Sequence, residues 1–231
     1  MARTPSTAAV LLVVSIAISA PIRVPKSVWG TFEDQDKDCE FKVQDGVLSI
    51  TVPGKDHDLS IERGKMNAPR AMQAVEGDFT VQVKVSGKFE PRQMSNAERA
   101  AYNGAGFLIR KDDNNYIRLD RATYWDGTMN QIYGNFELRA DGRIERFGSP
   151  QDLKLDNTKD TWLKIERKGD EFKAYASQEA GKWQALGAKT MAAPKRLDVG
   201  IAAINSSLEL FAPRFSDFEL KTSTPPEKND K

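Results

Sequence analysis

Polar and apolar side chains alternate with a period of two along much of the chain, most densely between Phe79 and Arg139. Phe79, Val81, Val83 and Val85 make one apolar file, with Thr80, Gln82 and Lys84 between them. Tyr116, Arg118 and Asp120 interleave with Ile117 and Leu119, and Asn135, Glu137 and Arg139 interleave with Phe136 and Leu138. Successive strand side chains point to opposite faces, so each run predicts a strand with one packed face and one turned to water or a ligand. The expectation is that these three segments lie side by side in one curved sheet, oily beneath and hydrophilic above.

Further strands are predicted at 47–52, closed by Pro53-Gly54, and at 71–75, turned by Glu76-Gly77-Asp78. Others follow at 104–110, 116–121 and 131–139, with Tyr124 and Trp125 on the loop between the last two. Asp141-Gly142 is a hairpin signal, and Gly169-Asp170 joins strands at 162–168 and 171–177. Residues 199–204 are apolar without a break, as in a strand buried in the middle of a sandwich, and 215–220 close the domain. About a dozen short strands and few helical patterns predict an all-β, two-sheet antiparallel sandwich or jelly roll. One helical turn is expected from Ser95, where Ser95 and Glu98 fit a capping box inside a long insertion at 90–103. It reads as a surface turn or as a lid over a cleft.

At 231 residues with 39% hydrophobic content the chain is long enough for one well-filled core. Lys plus Arg (34) nearly equals Asp plus Glu (33), and the basic residues are scattered, which argues against a nucleic-acid partner. Arg3 followed by the apolar stretch 8–19 predicts a signal peptide over 1–19, cut after Ser19. A linker is then expected at 20–27, the domain at 28–221 and a disordered tail at 222–231. The expected product is a secreted or periplasmic monomer with no membrane span after cleavage. Cys39 is the single cysteine, so no internal disulfide is available. It reads as a small buried residue whose acidic neighbours Asp38 and Glu40 oppose thiolate formation.

Several strings occur in a telling order: Asn67-Ala68-Pro69-Arg70, then Gly77-Asp78-Phe79-Thr80-Val81, then Gly104-Ala105-Gly106-Phe107-Leu108 and Asn115-Tyr116-Ile117-Arg118-Leu119. Trp162-Leu163-Lys164-Ile165-Glu166-Arg167, Ser177 with Trp183, and Val199-Gly200-Ile201-Ala202-Ala203 complete the set. With them the chain resembles a bacterial family of uncharacterised domains within the concanavalin A-like lectin/glucanase superfamily. Its opening at 29–59 resembles the planctomycete-type members. The resemblance implies a sandwich and, by analogy of fold, sugar binding. The chain departs from the family pattern where Glu179-Ala180-Gly181 precedes Trp183, a motif read as structural, with Trp183 covering a sheet edge.

Three functions fit these residues. In a lectin-like binder, sugar faces stack on aromatic rings and sugar hydroxyls pair with Arg, Asn and carboxylates. Tyr116, Arg118, Tyr133, Asn135 and Glu137 fall on polar files, with Tyr124 and Trp125 as a platform above them. The competing reading is a set of cross-strand pairs on a solvated face. Arg70, after Pro69, either enters the cleft or ties a loop through backbone carbonyls, and Asn67 is read the same way. In a glycan hydrolase or lyase, two carboxylates would stand about 5–10 Å apart across the scissile bond. The superfamily's Glu-x-Asp-x-x-Glu string is absent, leaving Asp120 and Glu137 on neighbouring strands, where adjacent arginines favour a charge ladder. The third function is a cell-surface module that binds protein.

No cofactor is expected beyond a calcium ion on alternating Asp34, Asp36 and Asp38. Cys39 stands there where a calcium loop requires glycine, so a solvated acidic turn competes with the ion site. His57, between Asp56 and Asp58, is read as an exposed turn residue without a second histidine for zinc.

Overall fold

The computed structural model describes residues 28–95 and 100–223. The expected signal peptide, the linker and nearly all of the tail lie outside the described residues, and the predicted helical turn runs from Ser95 into 96–99, which also lie outside them. No helix among the described residues is long and apolar enough to cross a membrane.

Among the described residues fourteen strands, numbered in chain order, form two antiparallel sheets of seven. The first sheet runs, edge to edge, β1 (Thr31–Glu33), β4 (Arg70–Glu76), β13 (Arg196–Asn205), β6 (Tyr102–Asp112), β7 (Asn115–Trp125), β8 (Asn130–Ala140) and β9 (Arg143–Ile144). The second runs β12 (Gln184–Thr190), β11 (Glu171–Ser177), β10 (Thr161–Lys168), β5 (Phe79–Ser86), β14 (Arg214–Thr222), β3 (Val47–Thr51) and β2 (Glu40–Gln44). The two-sheet antiparallel sandwich is therefore as expected. One neighbour relation is not: β5 lies in the second sheet, paired with β10 and β14, while β7 and β8 pair in the first. Alternation fixes which side of a strand packs, but the partner is chosen by strands distant in the chain.

The apolar files of both sheets meet in one core. Val81, Val83, Val85, Leu163 and Ile165 of the second sheet pack with Phe107, Ile109, Ile117, Leu119, Val199 and Ile201 of the first. Each such burial is worth about 1.5–3 kcal/mol. Arginines enter these inner files at Arg121 and, at the end of the β10 file, at Arg167. Arg121 is buried on β7 with its guanidinium 4.8 Å from the Phe89 ring. It donates hydrogen bonds to the carbonyls of Lys159 and Asn157 and, at 2.7 Å, to Thr161 Oγ1.

Turn chemistry follows the sequence where it is strong. Asp141 and Gly142 both adopt positive φ (50° and 75°), the left-handed pair that a tight hairpin between β8 and β9 demands. Tyr124 and Trp125, by contrast, end β7 itself, opposite Gln131 and Asn130. The turn comes after them, where Asp126 Oδ1 accepts the amides of Thr128 and Met129 at 2.8 Å each.

The outer face of the first sheet corrects the simple two-layer expectation. The segment 53–68 crosses it as a strap, and Leu59, Met66 and Ala68 pack onto Met72, Leu108, Tyr116, Ala122, Ala202 and Ile204 in a second apolar cluster. The file read as hydrophilic is therefore largely covered. This also explains why β13 is apolar from Val199 to Ile204: both faces of that stretch are buried.

Candidate functional site

In the β7–β8 ladder Arg118 lies directly opposite Glu137, Tyr116 opposite Arg139, Asp120 opposite Asn135 and Ala122 opposite Tyr133. Strand alternation places all of these on the outer face, beneath and beside the strap. Arg118, 2% exposed, donates through Nε and Nη2 to Asp120 Oδ2 at 3.0 and 2.7 Å. It also donates to Leu59 O and to the Tyr102 hydroxyl, both at 3.2 Å. Glu137 Oε2 stands 3.6 Å from Arg118 Nη1 and is also bonded by Arg139 Nη1, while Glu137 Oε1 accepts the Gly148 amide at 3.2 Å. Arg139 turns its other edge to Glu62 of the strap, with contacts of 3.3 and 3.2 Å, and lies over the Tyr116 ring. The charge ladder expected from the adjacent arginines is what forms.

Burial disfavours every charge in this network, and the pairing answers it. Burial pulls the Arg118 guanidinium down, but Asp120, Tyr102 and Glu137 outweigh that and hold it firmly protonated. Burial pushes the Glu137 carboxyl up, yet Arg118 and Arg139 bring it below the usual range. For Asp120 burial wins over Arg118, so its carboxyl titrates higher than usual. Burial also raises the Tyr102 and Tyr133 phenols, which stay neutral hydrogen-bonding groups.

Beside the strap the network opens into a cleft of about 270 Å³. Arg118, Glu137, Arg139 and Tyr102 line it together with Ser60 and Arg63 of the strap, Tyr124 and Tyr133, and the loop residues Phe147 and Gly148. Tyr124 meets Tyr133 edge to face, with ring centroids 6.1 Å apart. Phe147 is 62% exposed, a large apolar ring presented to solvent at the rim. The Gly148 bond to Glu137, with Ser149 capped by Asp152 at 2.9 Å, fixes the loop that carries it.

Of the seven candidate binding residues, Arg118, Tyr124, Tyr133 and Glu137 line this cleft. Tyr116 lies fully buried, its hydroxyl donating to Leu59 O at 2.9 Å. Trp125 is not among the lining residues, because β7 continues through it and alternation turns it away from Tyr124. Arg70 takes the loop-tying alternative: it pairs with Glu33 at 2.7 Å and donates to Met66 O at 3.2 Å. Asn67 likewise ties loops, accepting the Asp58 amide and donating to Asp36 and to Asp56 O. Sequence reasoning missed Phe147, Ser60, Arg63 and Tyr102. The last interrupts no strand pattern and was legible as part of β6, but the other three sit in irregular segments that no periodicity marks.

Outside the cleft lining, Asp34 spends its carboxylate on the amides of Lys37 and Cys39. Asp38 pairs with Lys55 at 2.5 Å and with His57 Nε2 at 2.9 Å. The Lys55 bond, opposed by partial burial and helped by His57, draws the Asp38 carboxyl down to about 2. His57 is completely buried, contrary to the exposed turn expected, because its backbone exchanges hydrogen bonds with Asn205 at 2.8 and 3.0 Å while the ring packs inward against Asp38. Cys39 is only half-buried, and burial together with Asp34 pushes its thiol up.

A family model described as "Protein of unknown function (DUF1349)" matches residues 35–223. The chain belongs to this family. Solved structures share the fold of this DUF1349 domain at low identity. A functionally unknown protein from Saccharomyces cerevisiae is 16% identical, with a TM-score of 0.65 over 85% of this chain and 98% of that one. A xylan beta-1,4-xylosidase from Bacillus halodurans C-125 is 15% identical, with a TM-score of 0.53 over 82% of this chain and 38% of that one. The GH43 protein BlXynB from Bacillus licheniformis is 16% identical, with a TM-score of 0.53 over 82% and 38%. The DUF1349 chain thus spans well under half the length of the two larger proteins. No curated protein sequence matches it.

Proposed function

We propose that this protein is an exported, monomeric, non-catalytic carbohydrate-binding domain of concanavalin A-like type, with its ligand in the cleft beside the strap. The observation that carries the reading is the pairing of an aromatic rim, the exposed Phe147 and the partly buried Tyr124, with a fixed polar floor of Arg118, Glu137 and Arg139. Rings of this kind offer a flat apolar face to a pyranose, and the floor supplies both donors and acceptors for its hydroxyls. The network is held in place before any ligand arrives, which lowers the ordering cost of binding. The fold is shared with portions of two larger proteins, one titled a xylan beta-1,4-xylosidase and the other a GH43 protein, which fits a glycan ligand.

A hydrolytic role for Asp120 and Glu137 has one feature in its favour: their carboxyls are shifted in opposite directions, as in an acid and base pair. Against it, Asp120 does not line the cleft, and arginines hold both carboxylates. A glycan array probed with the mature protein, followed by analysis of bound glycans for cleavage, tests the proposal. Retention of intact oligosaccharides supports it. An array without signal, or release of reducing ends, overturns it.

A further inference from the structure

We propose that Asp38, Cys39 and His57, joined by Asp36, form a binding site for a thiophilic divalent cation of the zinc type. One donor atom from each of the first three lies within 4.8 Å of the others. Cys39 Sγ is 3.6 Å and His57 Nε2 is 2.9 Å from the same oxygen, Asp38 Oδ1. Asp36 Oδ2 stands 3.7 Å from His57 Nε2 and offers a fourth donor. Ligand atoms around tetrahedral zinc are roughly 3.3–3.7 Å apart, given metal–ligand distances of about 2.0–2.3 Å. Side-chain adjustments of about an ångström therefore complete the shell.

The histidine carries a second, independent argument. Its ring is completely buried, with Nδ1 3.3 Å from Lys55 O and Nε2 facing Asp38 and Asp36. Both ring nitrogens thus face acceptors, but a neutral imidazole has a single N–H. In the tautomer that donates from Nδ1 to Lys55 O, the Nε2 lone pair faces Asp38 and Asp36, so a cation held by those carboxylates would also meet a nitrogen ligand; the Lys55 ammonium now supplies the positive charge there. A backbone carbonyl on the far nitrogen is also the usual way a metal-bound histidine is oriented.

Thiolate and imidazole donors select zinc over calcium or magnesium. The donor set thus differs from the all-aspartate calcium loop expected from sequence, in which Asp34 was to take part. Asp34 instead positions Cys39 by accepting its amide at 2.8 Å. The Lys55 ammonium, 2.5 Å from Asp38 and 3.5 Å from Asp36, is the competing cation, and its half-exposed side chain is free to swing out. On binding, the Cys39 thiol releases its proton to solvent, a sulfur–metal bond forms and Lys55 leaves. The ion would tie the 34–39 turn to the start of the strap.

Titration of the full chain with Co²⁺, followed by absorption, tests the site directly. The expected result is a one-to-one complex with a thiolate-to-cobalt charge-transfer band, bleached by Zn²⁺. Cys39→Ser should abolish the band and weaken Zn²⁺ binding at least ~10-fold, and His57→Gln should weaken it similarly. Lys55→Ala, at an exposed position that does not threaten folding, should tighten Zn²⁺ binding several-fold. Absence of the band, equal Zn²⁺ affinity in Cys39→Ser, or no gain in Lys55→Ala would each overturn the proposal.

Discussion

Glu137 Oε2 stands 3.6 Å from Arg118 Nη1 although the shortest contact of that guanidinium, 2.7 Å, goes to Asp120. One buried arginine therefore serves two carboxylates, and Glu137 in turn serves two arginines. Glu137→Gln removes a negative charge that both guanidiniums need. It should cost about 2–4 kcal/mol at neutral pH, read from urea unfolding.

The same residue sets an acid dependence. The folded Glu137 carboxyl titrates below its unfolded value, so its stabilising contribution is complete above the ordinary glutamate pKa of about 4.3 and is lost as pH falls through the folded value. Asp120, shifted upward, has the opposite sign and softens that loss. The parent protein should lose stability more steeply than Glu137→Gln as pH drops from about 5 to about 3. Parallel pH profiles would contradict the assignment.

Phe147→Ala should weaken glycan binding by roughly tenfold, about 1.4 kcal/mol, with little change in Tm, since its ring is mostly exposed. Tyr124→Ala should weaken binding as well. Trp125→Ala, outside the lining, should leave affinity unchanged, and isothermal titration with an array-positive oligosaccharide distinguishes the three.

Gly148→Ala tests the support of that rim. A Cβ there would come 2.0 Å from Asn135 Oδ1, an atom of a fully buried side chain that has no room to retreat. The loop must shift away from Glu137, and affinity should fall by more than threefold while the sandwich core, read by near-ultraviolet circular dichroism, stays intact.

Arg121 makes a prediction about the interior. Three acceptors, the carbonyls of Asn157 and Lys159 and the Thr161 hydroxyl, converge on one guanidinium. Arg121→Met keeps most of the volume but removes all three bonds, leaving Lys159 O and Thr161 Oγ1 only their long contacts with Gln178 Nε2, at a cost of about 2–4 kcal/mol in chemical unfolding. Arg121→Lys should recover only part of it, because an ammonium cannot present the same planar fork.

The legibility of the fold was uneven for identifiable reasons. The file Phe79 to Val85 and the hairpin at Gly169-Asp170 were readable because period and turn chemistry are local properties. That β5 joins the second sheet was not, since nothing in its alternation names β10 or β14 as partners. Arg118 and Glu137 were correctly placed on one face, but polarity alone did not disclose that the strap covers much of it. β1 is only three residues long, and β12 contains Gly187 at φ 106°, so neither offers a clear pattern. Phe147 escaped notice because a single aromatic in an irregular loop carries no periodic signature.

The position of β14, between β5 and β3 in the second sheet, bears on how the protein is made. A nascent chain that has not yet released residues 214–222 lacks the strand that unites the two halves of that sheet. Translation therefore delivers the keystone after every other described strand, and the second sheet stays in two unjoined parts until those residues emerge.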